Sequence, residues 1–155
     1  MEHIEKKLLV LSRIAQALNR QKATWAVGAS LLLYCKGMVS EFHDIDIMVA
    51  EEDVEKARNA LLSLGRQLPA NPKAQYKTKC FLEFNVEGVE VDMMAGFTIV
   101  REGVDYYFPL RPGDIHDYVE INGETIPLQS LEQWRKYYGL MGRTDKVEII
   151  EKLLP

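Results

Sequence analysis

The sequence predicts an α+β domain: a mixed β-sheet flanked by helices, with two further helices at its C-terminal end. Three observations carry this reading. A helical repeat of apolar residues opens the chain. Short strand-like stretches, several joined by Gly-containing turns, fill the middle. A capping box at Ser130 then starts the last helical region.

Ile4, Leu8, Leu11, Ile14 and Leu18 recur at helical spacing, so residues 4–18 form an amphipathic helix. Trp25-Ala26-Val27 is a short buried strand. Gly28 turns the chain, Ala29 to Cys35 is a buried helix, and Gly37 ends it. A polar loop from Met38 to His43 leads into a strand over Asp44 to Val49. Glu51 to Leu64 is a second amphipathic helix with acids in its first turn and Gly65 at its end.

Leu68 to Lys79 reads as a loop, broken by Pro69 and Pro72. Cys80 to Val86 alternates, with Cys80, Leu82, Phe84 and Val86 on one face. Glu87-Gly88 is a hairpin turn, and Val89 to Met94 is the return strand. Thr98 to Arg101 and Tyr106 to Leu110 form a hairpin around Glu102-Gly103. Tyr118 to Ile121 and Thr125 to Leu128 form another around Asn122-Gly123. Ser130 and Gln133 cap a helix over Leu131 to Met141, and a last helix runs from about Thr144 to Leu154. No repeat or linker divides the 155 residues, which read as one domain, 1–155.

Composition narrows the function. Hydrophobic residues make up 47% and charged residues 27%, a globular balance. No stretch approaches the ~20 apolar residues of a membrane span. Cys35 and Cys80 sit in apolar company without a signal peptide, so they read as reduced thiols of a cytoplasmic protein. The net charge is −4, and the basic residues are scattered apart from a weak grouping at Lys73, Lys77 and Lys79. That argues against sequence-specific nucleic-acid binding, which wants a basic stripe. It leaves a nucleotide ligand open, because a bound metal reverses the local charge.

Asp44-Ile45-Asp46-Ile47 is the most informative stretch. Side chains on a strand alternate, so Asp44 and Asp46 share one face, roughly 6.6 Å apart at their Cα atoms. Ile45, Ile47 and Val49 point into the core. Two carboxylates on an otherwise buried strand repel each other and resist burial. A divalent cation resolves that conflict; Mg²⁺ takes carboxylate oxygens at about 2.0–2.1 Å and keeps positions open for phosphate oxygens. Surface acids of no function fit the same pattern. Upstream, Gly28 lets the backbone approach a phosphate, the following helix offers free N–H groups, and Ser30 adds a hydroxyl. A plain tight turn also fits there. Downstream, Asp92 is a third acid in an apolar strand, with Glu90 on its face. His43, Trp134, Tyr137 and Tyr138 read as loop and packing residues.

Together these pieces resemble the nucleotidyltransferase superfamily, including its minimal, antitoxin-linked and aminoglycoside-modifying branches. The shared pattern is a hydrophobic residue with Gly-Gly or Gly-Ser, then Asp-hydrophobic-Asp after a helix, then a third acid on a later strand. Gly28 with Ala29 or Ser30, Asp44 and Asp46, and Asp92 match it. Ala29 departs from the Gly or Ser of relatives, and Asp145-Lys146 inverts a frequent Lys-Asp.

The resemblance implies a nucleotidyltransferase-like fold and transfer of a nucleoside monophosphate from an NTP to a hydroxyl acceptor it does not identify. Asp44 and Asp46 would hold Mg²⁺ on the triphosphate. Asp92 would help hold a second ion, about 3.5–4 Å from the first in two-metal sites, and draw the acceptor's proton. Gly28 and Ser30 would hold the β and γ phosphates, and Lys136 would neutralise phosphate charge. The resemblance leaves a second reading: a non-catalytic member that binds nucleotide or a partner, such as half of a toxin–antitoxin pair. A homodimer or a helical partner protein would complete either.

Overall fold

The computed structural model describes residues 2–70 and 77–154. Pro72 and Lys73, which entered the loop and basic-group expectations, lie outside the described residues.

Helix α1 (Glu2–Arg20) leads into β1 (Trp25–Val27), α2 (Ala29–Cys35) and β2 (Ile45–Val49). A 3-10 turn, Glu51–Asp53, runs into α3 (Val54–Leu62), followed by the two-residue β3 (Arg66–Gln67). Then come β4 (Cys80–Val86), β5 (Val89–Ala95), β6 (Phe97–Arg101), β7 (Val104–Phe108), β8 (Asp117–Ile121) and β9 (Glu124–Leu128). Helices α4 (Leu131–Leu140) and α5 (Thr144–Glu151) follow. The α+β class and the two C-terminal helices stand as the sequence predicts them.

Seven strands form one mixed sheet in the order β3-β4-β5-β2-β1-β9-β8, and β6 and β7 pair separately. β2 lies between β1, antiparallel to it, and β5, parallel to it. β9 joins β1 in parallel. The three hairpin turns form where expected. Glu87-Gly88, Glu102-Gly103 and Asn122-Gly123 all have positive φ at both central positions, the pairing that matches strand twist.

The alternation along β2 sorts the sheet faces. Ile45, Ile47 and Val49 are fully buried. Trp25 lies opposite Val49, and its indole N–H donates to Asn19 of α1 at 2.9 Å, so α1 covers this face. Val10, Leu11, Ile14, Ala15 and Leu18 are the buried stripe of that helix. α4 adds its aromatic residues to the same core: Tyr137 packs 4.7 Å from Phe108 and 5.3 Å from Phe97, centroid to centroid. The Ser130–Gln133 capping box that starts α4 is formed, with Gln133 N–H donating to Ser130 Oγ at 3.0 Å.

Some elements differ from expectation for tertiary reasons. The helix expected from Glu51 begins as a 3-10 turn because the buried Asp53 carboxylate accepts the Thr24 N–H at 2.8 Å. β3 pairs with β4 through Arg66 and Asn85, a contact with no local signature. β7 starts at Val104, not Tyr106, extending its register with β6 up to the turn.

Candidate active site

Asp44 immediately precedes β2 and Asp46 lies within it. Asp46 stands opposite Asp92 on the parallel neighbour β5, and Asp92 stands opposite Glu83 on β4. One row of the sheet therefore carries three acids, with Asp44 and Glu90 beside it. These carboxyls interact. Burial, then the charges of Asp92 and Asp44, hold the Asp46 carboxyl well above the ordinary carboxylate range. Burial, then Asp44, Glu83 and Glu90, push Asp92 up to about 6, although a hydrogen bond with Asp46 pulls the other way. The Glu90 carboxyl is also raised, first by its hydrogen bond with Asp44 and then by that group's charge.

The acids open into a cavity of about 490 Å³. Ala29 and Ser30 from the turn after β1 line it, as do Asp44, Asp46 and Asp92. So do His43, Phe81 and Phe97, and, from the C-terminal helices and the turn between them, Trp134, Tyr138, Arg143 and Lys146. Arg143 rests on Asp145 through two contacts of 3.3 Å and is half-exposed. Tyr138 is pushed to about 12, by burial first and by the Asp46 charge second, so its hydroxyl stays protonated at neutral pH.

Four of the six residues singled out from sequence, Ser30, Asp44, Asp46 and Asp92, thus converge. Gly28 and Lys136 are not among the residues that line the cavity. Gly28 has an extended backbone (φ −139°) and sits against Trp134 and Gln129, where an added Cβ would lie 2.5–2.6 Å from their side-chain atoms. Its close approach is to an indole. Lys136 is exposed, with Nζ 5.1 Å from the centroid of the Phe108 ring, and does not line the cavity. The cations that do are Arg143 and Lys146. Their spacing of three residues is the signal that sequence reasoning passed over, since it puts both on one side of a helical turn. Trp134 and Tyr138 pack, as expected, yet also form a cavity wall.

Among the described residues no helix is long and apolar enough to cross a membrane. No group of three or more His, Cys, Asp or Glu side chains among them is arranged to hold a metal ion by itself.

A strand–turn–helix leading to an acid pair at the start of β2, with β5 parallel beside it, is the arrangement of the nucleotidyltransferase superfamily, and known proteins bear this out. Residues 10–151 match the aminoglycoside-2''-adenylyltransferase family, and the chain belongs to it. The fold superposes on TM1012 of Thermotoga maritima, a candidate nucleotidyltransferase, with a TM-score of 0.71 at 26% identity. That match covers 96% of this chain and 92% of TM1012. ANT(2'')-Ia, solved with adenylyl-2''-tobramycin, has a TM-score of 0.64 at 11% identity, over 94% of this chain and 87% of that one. The lincosamide antibiotic adenylyltransferase LnuA, lincomycin-bound, has a TM-score of 0.62 at 15% identity, over 94% and 96%. At these last identities the likeness is one of fold. No curated protein sequence matches the chain.

Proposed function

We propose that this chain transfers an adenylyl group from ATP to a hydroxyl of a small organic acceptor, with Mg²⁺ as cofactor. The observation that carries the reading is the facing pair Asp46 and Asp92, with Asp44 beside them, in a cavity that also holds Arg143 and Lys146. The volume of about 490 Å³ falls among small-molecule sites, which run from about 300 to 1,000 Å³.

The carboxyls fit a hard divalent cation. Their donor set is all oxygen, and their mutual repulsion is the conflict a cation relieves. Mg²⁺ binds through one or two carboxylates plus substrate phosphates, a mode open to Asp44 and Asp46 on the cavity wall. Asp44 and Asp46 would hold it, with Asp92 sharing a second ion. When bound, the metal would polarise the phosphoryl oxygens and stabilise charge on the attacking and leaving oxygens.

The residues of the chain do the rest. Ser30 donates a hydroxyl to the β and γ phosphates, and Arg143 and Lys146 neutralise their charge. The acceptor oxygen attacks the α-phosphorus, the bond from that phosphorus to the bridging oxygen breaks, and pyrophosphate leaves. The acceptor's proton passes to Asp92. In the metal-free protein burial and the neighbouring acids hold Asp92 above the ordinary carboxylate range, which makes it a stronger proton acceptor than a free aspartate. The named ligands of the structural relatives, adenylyl-2''-tobramycin and lincomycin, make antibiotic hydroxyls the first acceptors to try.

The test is mass spectrometry of products after incubation with Mg²⁺, each NTP and a panel of hydroxylated antibiotics. The expected product has gained one nucleoside monophosphate less water, and Asp44→Asn gives none. Nucleotide binding without any product would favour the non-catalytic reading.

A further inference from the structure

Asp44 needs a support that the sheet does not give it. The register of β2 with β5 begins one residue later, at Ile45 opposite Val91. Before it, residues 36–44 cross from α2 to β2 without helix or strand. The start of this connection closes back on α2, where the Met38 N–H donates to the Leu33 carbonyl at 2.9 Å. Its far end is held by α1. Lys7 Nζ donates to the Phe42 carbonyl at 2.7 Å and lies 5.5 Å from the centroid of the Phe42 ring. That ring is 2% exposed and packs 5.2 Å from Tyr34 of α2. His43 and Asp44, the next residues, line the cavity. Lys7 stands one helical turn before the buried Val10 and Leu11, at the margin of the apolar stripe of α1. From there its stem covers apolar surface while its ammonium reaches the loop.

We propose that Lys7 is a positioning residue for the metal: by fixing the Phe42 carbonyl it sets where the Asp44 carboxylate stands. The inference rests on the nucleotidyl-transfer reading, in which Asp44 and Asp46 hold Mg²⁺. Asp46 is placed by the ladder, in register opposite Asp92. Asp44 is placed by its loop. Mg²⁺ demands near-ideal octahedral geometry at about 2.0–2.1 Å. A ligand set tolerates only about 0.5 Å of misplacement, so the residues that hold a ligand matter as the ligand does. The bond from Lys7 is charge-assisted, which makes it stronger than a neutral one. Charge by itself predicts the opposite effect. Removing a positive charge from the protein should strengthen what a cation adds to binding. A variant without the ammonium that gains less from the metal therefore reports geometry.

The experiment is titration calorimetry with an ATP analogue that carries a methylene in place of the oxygen between its α and β phosphates. Each protein is titrated with and without Mn²⁺, which stands in for Mg²⁺. The proteins are wild type, Lys7→Met, Lys7→Arg, Asp44→Asn and the Lys7→Met, Asp44→Asn double variant, with nucleotide-free melting curves to check folding. Methionine keeps an unbranched stem beside Phe42 and lacks the donor; arginine keeps a donor. Mn²⁺ should strengthen wild-type binding. In Lys7→Met that gain should shrink about three- to tenfold, while the metal-free analogue binds within about twofold of wild type. Lys7→Arg should keep most of the gain. Whatever gain remains in Asp44→Asn should be the same when Lys7→Met is added. An unchanged or larger gain in Lys7→Met, or an equal shrinkage in the Asp44→Asn background, overturns the positioning role alone. Equal losses with and without Mn²⁺ would make Lys7 a structural residue and overturn it as well. If wild type binds no analogue, or gains nothing from Mn²⁺, the transfer reading falls and takes this inference with it.

Discussion

Asp46 and Asp92 stand opposite each other on parallel neighbouring strands, and burial together with the charge of Asp92 holds the Asp46 carboxyl above its ordinary range. Such a pair is held by the fold against its own repulsion. Asp46→Asn removes one charge and preserves the hydrogen-bonding shape. The apo protein should therefore melt at the same temperature as wild type or higher. Transfer should fall at least about a hundredfold, the scale on which loss of a well-placed electrostatic group acts. Calorimetric melting and product mass spectrometry check the two halves. A large drop in apo melting temperature would make Asp46 a structural residue instead.

The same cluster sets a pH dependence. Asp92 is raised from 3.8 to about 6, and Asp46 shifts in the same direction. Between those values the folded chain holds a proton that the unfolded chain releases. The stability this contributes is complete below 3.8 and is lost as pH rises through about 6. Glu51, Glu87, Asp117 and Asp145 are lowered by their partners and act oppositely at lower pH, so the contribution must be isolated by comparison. At about pH 7 the nucleotide-free Asp92→Asn variant should melt above wild type, and the gap should narrow as pH falls through about 6 and close near 3.8. A gap independent of pH would refute this titration.

Much of this arrangement was legible in the sequence because its causes are local. Strand alternation put Asp44 and Asp46 on one face, Gly-containing dipeptides set three hairpins, and Ser130 with Gln133 started α4. What escaped was set by distant contacts. Nothing near Asp92 in sequence says that β5 runs parallel to β2, so the register bringing it opposite Asp46 is a property of the sheet. Arg66 and Gln67 become a strand only because β4 offers an edge. Lys136 was implied as a phosphate contact by the resemblance, but helical phase carries it to Phe108, whereas Arg143 in the turn after α4 and Lys146 on α5 line the cavity. Gly28 was read as room for a phosphate, and what the sequence did not show is that Trp134, more than a hundred positions away, fills the side where a Cβ would stand.

That use of Gly28 separates it from its neighbour. An added Cβ would lie 2.5 Å from Gln129 Oε1 and 2.6 Å from Trp134, both of which are buried. Gly28→Ala should destabilise the protein by about 1–3 kcal/mol, as overpacking does. Ala29 has the opposite problem, since its φ of +54° is the left-handed region that favours glycine. That conformation costs a residue with a Cβ about 1–2 kcal/mol. The extra freedom of glycine in the unfolded chain returns about 0.4–1 kcal/mol of it. Ala29→Gly should therefore raise stability by about 0.5–1 kcal/mol. Urea denaturation of the two variants gives opposite signs at adjacent positions, and matching signs would refute the account.

Arg143 gives the sharpest test of how phosphate is held. In the nucleotide-free protein its guanidinium lies on Asp145, with side chains 50% and 63% exposed. An ion pair that open to water contributes about 0–1 kcal/mol, so a triphosphate with several charges can draw the guanidinium away. Arg143→Ala should leave unfolding stability within about 0.5 kcal/mol of wild type, as surface changes do. It should raise KM for ATP about tenfold or more, since charge-assisted bonds to phosphate are among the strong ones. The effect should shrink as salt is added, because the site is exposed and screened. Asp145→Asn should move KM the other way, by less, since it frees the guanidinium without removing it. Steady-state kinetics at low and high salt measure all of this. An unchanged KM in Arg143→Ala would leave Lys146 as the cavity's phosphate cation.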